Sequence, residues 1–262
     1  MSHILISDAG AVRTVTINRP ERRNALSPHT GEELTEAIAS ADGSEVGAIV
    51  LTGQGGHFSA GGDAEAILEA IGAGDDNAPY RMMRSFHRLI ETIWNSPLPV
   101  VAAVSGVVYG GAFNLALACD LIYASADARF CQVFVRRGVI PDMGGAYLLP
   151  RLVGVQRAKE LMLLAGEIDA ARAEPLGIVN AVLADPSATL DAARDAARDA
   201  AANLAAAPSY TMEMAKRLIN GSTNSALAES LSAEASAQSL VLGAPAARKG
   251  FGAFLDRGKR KG

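Results

Sequence analysis

The chain has 262 residues, of which 49% are hydrophobic and 20% charged, and its formal net charge is −4. This is the composition of a globular protein that can bury its own core. The acidic balance argues against nucleic-acid or membrane partners, because phosphate binding needs a clustered positive field. Two cysteines without metal-ligand spacing predict reduced core thiols and no metal site. No signal sequence or long apolar run is found, so we expect a cytoplasmic location.

The first half of the chain alternates predicted strands with predicted helices. Residues 12–18 alternate as a strand, and a helix is expected from Ser27-Pro28, where serine suits the N-cap and proline the first turn. Residues 48–52 form an apolar strand pattern. The Ala-, Gly- and Asp-rich segment 63–79 predicts a mobile loop of the kind that forms lids, and residues 80–94 have helical periodicity.

The second half begins in the same way and then becomes helical. Alternating strands and helices up to this point predict an α/β core. We place the end of that core at residue 187 and assign 188–262 to a helical oligomerisation region, with 188–207 as a surface helix carrying its own ion pairs. The predicted strands are 100–104, 121–124 and 178–183, and the predicted helices are 112–118, 155–164, 170–176, 188–207, 209–218 and 227–240.

Two glycine-rich stretches, His57 to Asp63 and Gly106 to Ala112, are the most informative feature of the sequence. Each follows a predicted buried strand and leads toward a helix. Turns of this kind leave backbone N–H groups unpaired, and glycine allows a ligand to approach them. Two such turns can direct two N–H groups at one oxygen, which is the geometry that stabilises an oxyanion.

These motifs resemble the crotonase superfamily, the enoyl-CoA hydratase and isomerase family, over nearly the whole chain. The resemblance implies a spiral of ββα units, a C-terminal helical region that builds trimers or dimers of trimers, and a coenzyme A thioester as substrate. It also implies that the N–H groups of Ala60 and Gly111 form the oxyanion hole. The matching segments are Ile17 to Pro20, Asn24 to Leu26, Phe58 to Asp63, Gly106 to Ala112, Leu115 to Asp120 and Gly138 to Gly145.

The sequence departs from the hydratases at both catalytic glutamates. The positions that match them hold Asn114 and Phe134, neither of which can titrate. Since water addition needs a base and an acid, this argues against a standard hydratase. Asp142 is the candidate base. By position alone it reads as a helix N-cap, but the resemblance to ring-1,2-epoxyphenylacetyl-CoA isomerases implies that it is the catalytic acid/base. A pocket lined by Phe134 and Val135 would raise its pKa.

The resulting hypothesis is a one-base isomerase. Asp142 would take a proton from the γ-carbon of a 3-enoyl-CoA and return it to the α-carbon, through a dienolate held by Ala60 and Gly111 and without a metal or redox cofactor. In an aromatic-catabolism variant, the same site would open a ring epoxide of an arylacetyl-CoA. The sequence does not choose between these substrates, which would place the enzyme in fatty-acid metabolism or in phenylacetate catabolism.

Three alternatives stay open at this point. One is an enoyl-CoA hydratase of β-oxidation. Another is a hydrolase or dehalogenase in which Asp142 attacks carbon beside His87, because the spacing of the two residues resembles that in 4-chlorobenzoyl-CoA dehalogenase. The alternative for His87, a lone histidine among apolar residues, is a packed or surface side chain without a catalytic role. The third is a catalytically silent scaffold.

Basic residues at both ends of the chain are candidates for binding the phosphates of coenzyme A, since arginine suits phosphate. The alternative for the C-terminal ones is a solvated tail. Tyr109 and segment 64–80 are expected to shape the acyl pocket. The residues assigned to coenzyme A are Arg22, Arg23, Ala25, Ala60, Phe254 and Arg257.

Overall fold

The computed structural model describes residues 2–183 and 190–259. The chain divides into two compact units, Met1–Ala205 and Ala206–Gly262. The division therefore comes later than the predicted boundary after residue 187. The reason is that the helix before Ala205 packs on the sheet of the first unit.

A six-stranded sheet forms the centre of the first unit, in the order β1-β2-β3-β4-β6-β9. The edge strand β1 is antiparallel to β2, and every other pair in this sheet is parallel. A smaller sheet has the order β5-β7-β8. The strands are β1 (Ile4–Ala9), β2 (Val12–Ile17), β3 (Ala48–Gly53), β4 (Val100–Val104), β5 (Val107–Tyr109), β6 (Leu121–Ser125), β7 (Arg129–Cys131), β8 (Ile168–Asp169) and β9 (Ala181–Leu183).

Helices connect the parallel strands and make up all of the second unit's regular structure within the described residues. Short 3-10 helices cover Pro20–Arg22 and Val133–Arg137. The α-helices are α1 (Pro28–Ala39), α2 (Ala64–Gly72), α3 (Ala78–Asn95), α4 (Gly111–Leu117), α5 (Gly145–Val153), α6 (Val155–Leu164), α7 (Ala170–Ala173), α8 (Leu190–Ala205), α9 (Ser209–Ser222), α10 (Leu227–Gly243) and α11 (Pro245–Lys259).

Both faces of the large sheet are buried, which explains the continuous apolar runs of β3 and β4. Successive side chains of a strand point to opposite faces. Ile49 and Leu51 belong to the main core with helices α1 and α3, whereas Val50 and Val101 belong to a smaller cluster on the other face. Parallel strands covered on both sides are expected to be apolar throughout.

Helix α8 supplies the cover for that second face, which corrects the prediction of a surface helix over 188–207. Ala193, Ala197 and Ala201 recur every four residues and are fully buried. An alanine stripe lets a helix approach a sheet closely. The opposite face matches the prediction, since Arg198 forms an exposed ion pair with Asp195 at 3.1 Å. Residues 184–189 lie outside the described chain.

Several other expectations are refined. Segment 63–79 is not a loop throughout, because helix α2 occupies most of its first half and Asp63 caps that helix by accepting from Glu65 N–H at 3.1 Å. The helix predicted over 170–176 ends at Ala173, and the strand predicted over 178–183 begins only at Ala181. The basic C-terminal segment, for which a solvated tail was the alternative to coenzyme A binding, is helical as far as Lys259.

The second unit consists of α9, α10 and α11. Apolar side chains are exposed along its helices: Leu227, Leu231, Leu240, Leu242, Phe251, Phe254 and Leu255. Its role in forming a trimer stays a prediction. Among the described residues, no helix combines the length and apolar character that a membrane span requires.

Candidate active site

The two glycine-rich turns are joined to each other by backbone hydrogen bonds. Phe58 N–H donates to Ser105 O at 2.8 Å, and Ser59 N–H donates to Val107 O at 3.0 Å. Tyr109 N–H returns a bond to Ser59 O at 3.1 Å. The segment after β3 therefore lies parallel to β5, so the two turns that follow these segments end side by side, as the sequence predicted.

In the first turn, the N–H groups of three consecutive residues differ in their partners. Ala60 N–H donates to Arg23 O at 2.9 Å, and Gly61 N–H donates to Ser59 Oγ at 3.1 Å. Gly62 N–H has no acceptor within residues 2–183 and 190–259, and Gly62 is exposed. The assignment of Ala60 as an oxyanion donor is therefore corrected, because its N–H is already bonded. Gly62 carries the available donor.

In the second turn, Gly111 carries the available donor. It is the first residue of α4, whose opening N–H groups have no partner within the helix. A methyl group on Gly61 would lie 3.5 Å from Gly111 N and only 2.6 Å from Tyr109 O. Gly61 also has φ +88°, so glycine is required there for both reasons. This close approach brings the Gly62 and Gly111 donors into one region.

Asp142 lies beside Gly111, as its assignment to the site requires. A methyl group on Gly111 would be 3.5 Å from Asp142 Oδ1. That oxygen is buried and has no hydrogen-bond partner within the described chain. Desolvation raises the pKa of Asp142 to about 6, opposed by a hydrogen bond from its own backbone N–H. Asp142 does not cap helix α5, since the N-cap is Gly144 and no side chain bonds there.

Asn114 is one of the fully buried residues behind Asp142. Its Nδ2 donates to the carbonyl of Asp142 at 2.9 Å, and its Oδ1 accepts from Gln132 Nε2 at 2.7 Å. The same carbonyl accepts from Gly145 N–H at 2.9 Å. At the position that the sequence resemblance matches to a hydratase glutamate, this chain therefore has an amide that fixes the backbone of Asp142. The other substituted position, Phe134, is a buried ring whose edge lies 3.8 Å from a methyl placed on Gly110.

The predicted coenzyme A residues of the N-terminal half lie against the first turn. Leu26 N–H donates to Gly61 O at 2.7 Å, and Arg23 O accepts from Ala60. Asn24 fixes this loop, since its Nδ2 donates to the carbonyls of Gln54 and His57 at 2.8 and 2.7 Å. The structure thus brings Arg22, Arg23 and Ala25 to the edge of the Gly62 donor.

Charged side chains hold the start of α2 beside this loop. Arg19 and Asp63 form a shielded ion pair at 2.8 Å. Burial alone would raise the pKa of Asp63, but the hydrogen bond and charge of Arg19 outweigh it and lower that pKa below its ordinary value. Arg22 pairs with Glu65 at 2.8 Å and is 42% exposed, so a phosphate would have to compete with that carboxylate.

Other predicted site residues are less closely associated with Asp142. His87 is exposed on α3, three residues before Ile90, whose Cγ2 lies 3.6 Å from a methyl placed on Gly144. It is therefore on the flank of the site. Tyr109 directs its hydroxyl to the Glu167 carboxylate; desolvation and this bond raise the pKa of Tyr109 to about 12. Phe254 belongs to the second unit and is exposed, and the side chain of Arg257 lies outside the described residues.

A cavity of about 520 Å³ lies between α1, α2 and α3. Ala66, Ala70 and Ala78 of the segment predicted to shape the acyl pocket form part of its wall. Asp142 and the two glycine turns do not line it. The cavity is therefore distinct from the position of the proposed chemistry.

Sequence reasoning missed Gly62, Asn24 and Gln132. Gly62 belonged to the correct motif, but a run of three N–H groups gives no sequence signal for the one that stays unbonded. The asparagine and glutamine act through contacts across loops distant in sequence. Such contacts become visible only in three dimensions.

Comparison with known proteins identifies the family of this chain. Residues 7–261 match the family model described as enoyl-CoA hydratase/isomerase. A protein of Rhizobium meliloti (strain 1021) named probable enoyl-CoA hydratase is 36% identical over 98% of this chain and 96% of its own length. The 1,2-epoxyphenylacetyl-CoA isomerase of Escherichia coli (strain K12) is 32% identical over 97% of this chain and 96% of its own.

A solved structure is similar over the same extent. The crystal structure of an enoyl-CoA hydratase from Polaromonas sp. JS666 superposes with a TM-score of 0.91 at 32% identity, covering 97% of each chain. The predicted crotonase-like α/β architecture with C-terminal helices is therefore confirmed.

Proposed function

Since the chain belongs to the enoyl-CoA hydratase/isomerase family, we propose that it is a one-base enoyl-CoA isomerase in which Asp142 is both acid and base. Proteins of this family act on acyl-CoA thioesters. The finer assignment rests on one observation. Asp142 is a desolvated carboxyl group beside the Gly111 donor, and the two positions that hold glutamates in hydratases hold an amide and a phenyl ring.

The proposed substrate is a 3-enoyl-CoA, whose α-proton is acidic because the thioester and the double bond both stabilise the anion. The γ-carbon of this substrate is part of the double bond, so the hypothesis that the proton leaves the γ-carbon and returns to the α-carbon is reversed. The thioester oxygen accepts hydrogen bonds from Gly62 and Gly111 N–H. Asp142 removes the α-proton, the C–H bond electrons delocalise into the thioester oxygen, and the dienolate forms. The protonated Asp142 then returns the proton to the γ-carbon, which gives the conjugated 2-enoyl-CoA with no net gain or loss of atoms.

The raised pKa of Asp142 suits this cycle. A carboxyl group with a pKa of about 6 is largely ionised at neutral pH and can start as the base. It holds the proton more firmly than an ordinary aspartic acid while the dienolate exists, and it still returns the proton to carbon. The two N–H donors supply the stabilisation of the developing charge, on the order of 3 kcal/mol each. No cofactor is needed beyond the coenzyme A of the substrate.

A ring-epoxide arylacetyl-CoA is the second candidate substrate. It is favoured by the similarity over 97% of this chain to a protein named 1,2-epoxyphenylacetyl-CoA isomerase. The hydratase reaction is disfavoured although other relatives carry that name, because neither Asn114 nor Phe134 can supply the second acid or base that water addition needs.

Product analysis tests the proposal. Wild type, Asp142→Asn and the control Asp42→Asn, which changes an exposed aspartate after α1, are each given a 3-enoyl-CoA, a 2-enoyl-CoA and a ring-epoxide phenylacetyl-CoA. We expect conjugation of the 3-enoyl-CoA by wild type and by the control, without 3-hydroxyacyl-CoA, and a loss on the order of 10³-fold in Asp142→Asn.

Two results would contradict the proposal. Formation of 3-hydroxyacyl-CoA from the 2-enoyl-CoA would restore the hydratase assignment. Undiminished isomerisation by Asp142→Asn would remove Asp142 from the mechanism. If wild type converts only the ring epoxide and Asp142→Asn does not, Asp142 keeps its acid/base role, and the ring-epoxide arylacetyl-CoA takes the place of the 3-enoyl-CoA as the proposed substrate.

A further inference from the structure

A second cluster of chemically active side chains lies in the first unit at the start of β1 and on α1. It consists of His3, His29 and Glu33, and the proposed isomerase uses none of them. One ligand atom from each residue lies within 4.8 Å of the other two. Within the described residues it is the one group of three histidine, cysteine or carboxylate side chains arranged in this way.

The spacing of the three ligand atoms fits a small divalent ion. His29 and Glu33 are four residues apart on α1, and His29 Nε2 lies 3.3 Å from Glu33 Oε1. In tetrahedral zinc coordinated at about 2.0–2.1 Å, neighbouring ligand atoms are about 3.3 Å apart. This pair therefore already has the separation of two ligands. The His3 ring needs only a small rotation or shift, since its ligand atom is no farther than 4.8 Å from the others.

Contacts behind the three residues hold them in place before any ion arrives. Glu33 Oε2 accepts from the backbone N–H of His3 at 2.9 Å, which leaves Oε1 toward His29. His3 Nδ1 is bonded to Thr30 Oγ1 at 3.1 Å, and that hydroxyl is bonded to Ser27 Oγ at 3.0 Å. The carbonyl of His3 accepts from Asn18 N–H at 2.7 Å. Outer partners of this kind orient metal-binding histidines in known sites.

We propose that His3, His29 and Glu33 form a binding site for a divalent transition ion, zinc in particular, with a fourth position open to water. Two imidazoles and a carboxylate are a ligand set that zinc uses, whereas calcium and magnesium prefer oxygen ligands alone. The ion ties the first strand of the sheet to helix α1. It therefore stabilises the folded chain, since metal binding to the native state adds to folding free energy.

Metal titration of the untagged full-length protein tests the site. Co²⁺ is added as a spectroscopic probe and Zn²⁺ as its competitor, after dialysis against a chelator. We expect one equivalent of Co²⁺ with visible absorption bands of nitrogen and oxygen coordination, displaced by Zn²⁺, and a rise in Tm on Zn²⁺ addition. His29→Ala and Glu33→Gln should each weaken binding by more than about 10–100-fold, the loss caused by removing an outer-shell partner alone.

Two matched controls keep the result specific. Glu36→Gln changes an exposed carboxylate one turn farther along α1, and His87→Ala removes an exposed histidine from α3; both variants should bind Co²⁺ like wild type. Thr30→Val, which keeps the shape of the side chain, should weaken binding by about 10-fold or more through His3. Absence of stoichiometric binding would overturn the proposal. So would binding that is unchanged in His29→Ala and Glu33→Gln, or lost in the controls.

Discussion

The two glycine-rich turns of the first unit differ in how each leaves one N–H group available. In the first turn, Ala60 and Gly61 donate to nearby oxygens, whereas Gly62 N–H has no acceptor among the described residues. In the second turn, Gly111 is available because it opens a helix. The first donor thus depends on side chains and loops around it, whereas the second follows from helix geometry alone.

The two turns also differ in the polarity of the residues around them. The first turn is held by polar contacts, the Arg19–Asp63 ion pair and the buried Asn24 amide. The second is enclosed by buried residues and lies beside Asp142, whose own carbonyl is fixed by Asn114. A site for an oxyanion can therefore be assembled from one exposed, polar half and one dry half. The dry half also raises the pKa of the base.

Among the tests of this difference between the two turns, the largest effect is expected from removing the first donor. Gly62→Pro removes the N–H, and turnover of a 3-enoyl-CoA should fall on the order of 10²–10³-fold, the range measured for one oxyanion donor. Gly62→Ala is the matched control, since it keeps the N–H and its methyl meets only the mobile end of Ile67 at 3.0 Å. Equal activities in the two variants, with circular dichroism like wild type, would remove Gly62 from the oxyanion hole.

The burial of the Asp142 carboxyl group beside the second turn should be detectable in the pH dependence of the unfolding free energy. The pKa of Asp142 is about 6 in the folded state against an ordinary 3.8. Between these values the folded state binds more protons than the unfolded one, so stability falls as pH rises from about 4 to about 6. Relative to Asp142→Asn, wild type should lose about 2.4 kcal/mol of unfolding free energy between pH 4 and pH 7. Urea unfolding at each pH measures this; a constant difference would show that the carboxyl group is well solvated.

The contact between the turns is tested by Gly61→Ala. The added methyl would lie 2.6 Å from the carbonyl oxygen of Tyr109, at a residue with φ +88°. We expect a loss of about 2–3 kcal/mol in unfolding free energy. Gly62→Ala should lose less than about 1 kcal/mol, because its neighbour is a flexible side chain. Similar stabilities of the two variants in denaturant titrations would contradict the close approach.

A smaller effect on stability is expected from replacing Asn114, whose side-chain amide supports the backbone of Asp142. Asn114→Leu leaves the Gln132 Nε2 group without its acceptor and removes one of the two hydrogen bonds to the carbonyl of Asp142. It should lower the unfolding free energy by about 1–2 kcal/mol. Because the carboxyl group loses its backbone support, kcat should fall while KM changes little. If KM rises and kcat is unchanged, Asn114 acts on substrate binding instead of on the position of Asp142.

Much of the α/β core could be predicted from the sequence because its signals are local. The strand over 100–104 and the helix over 155–164 have the predicted bounds, since an apolar run and a 3.6-residue period report on neighbouring residues. Helix α8 shows the limit of such patterns. Charges at helical spacing predicted an exposed helix, yet its alanine face is buried against β3 and β4, and no local pattern says which sheet an alanine stripe will meet.

The candidate site, like the fold, could be predicted where its signals are local in the sequence. The two turns and Asp142 were found from motifs, and the structure brings Asp142 to Gly111. The choice between Ala60 and Gly62 could not be made from the sequence. It depends on whether Arg23, from a loop that precedes β3, places its carbonyl on the Ala60 N–H.

The central claim, that one carboxyl group both removes and returns the proton, is tested most directly by isotope transfer. A 3-enoyl-CoA deuterated at the α-carbon is converted in ordinary water by wild type and by Asp142→Asn. Our account predicts that part of the deuterium appears at the γ-carbon of the product in wild type, and that both turnover and transfer are lost in Asp142→Asn. Full turnover with only solvent hydrogen at the γ-carbon, or transfer that survives in Asp142→Asn, would contradict it.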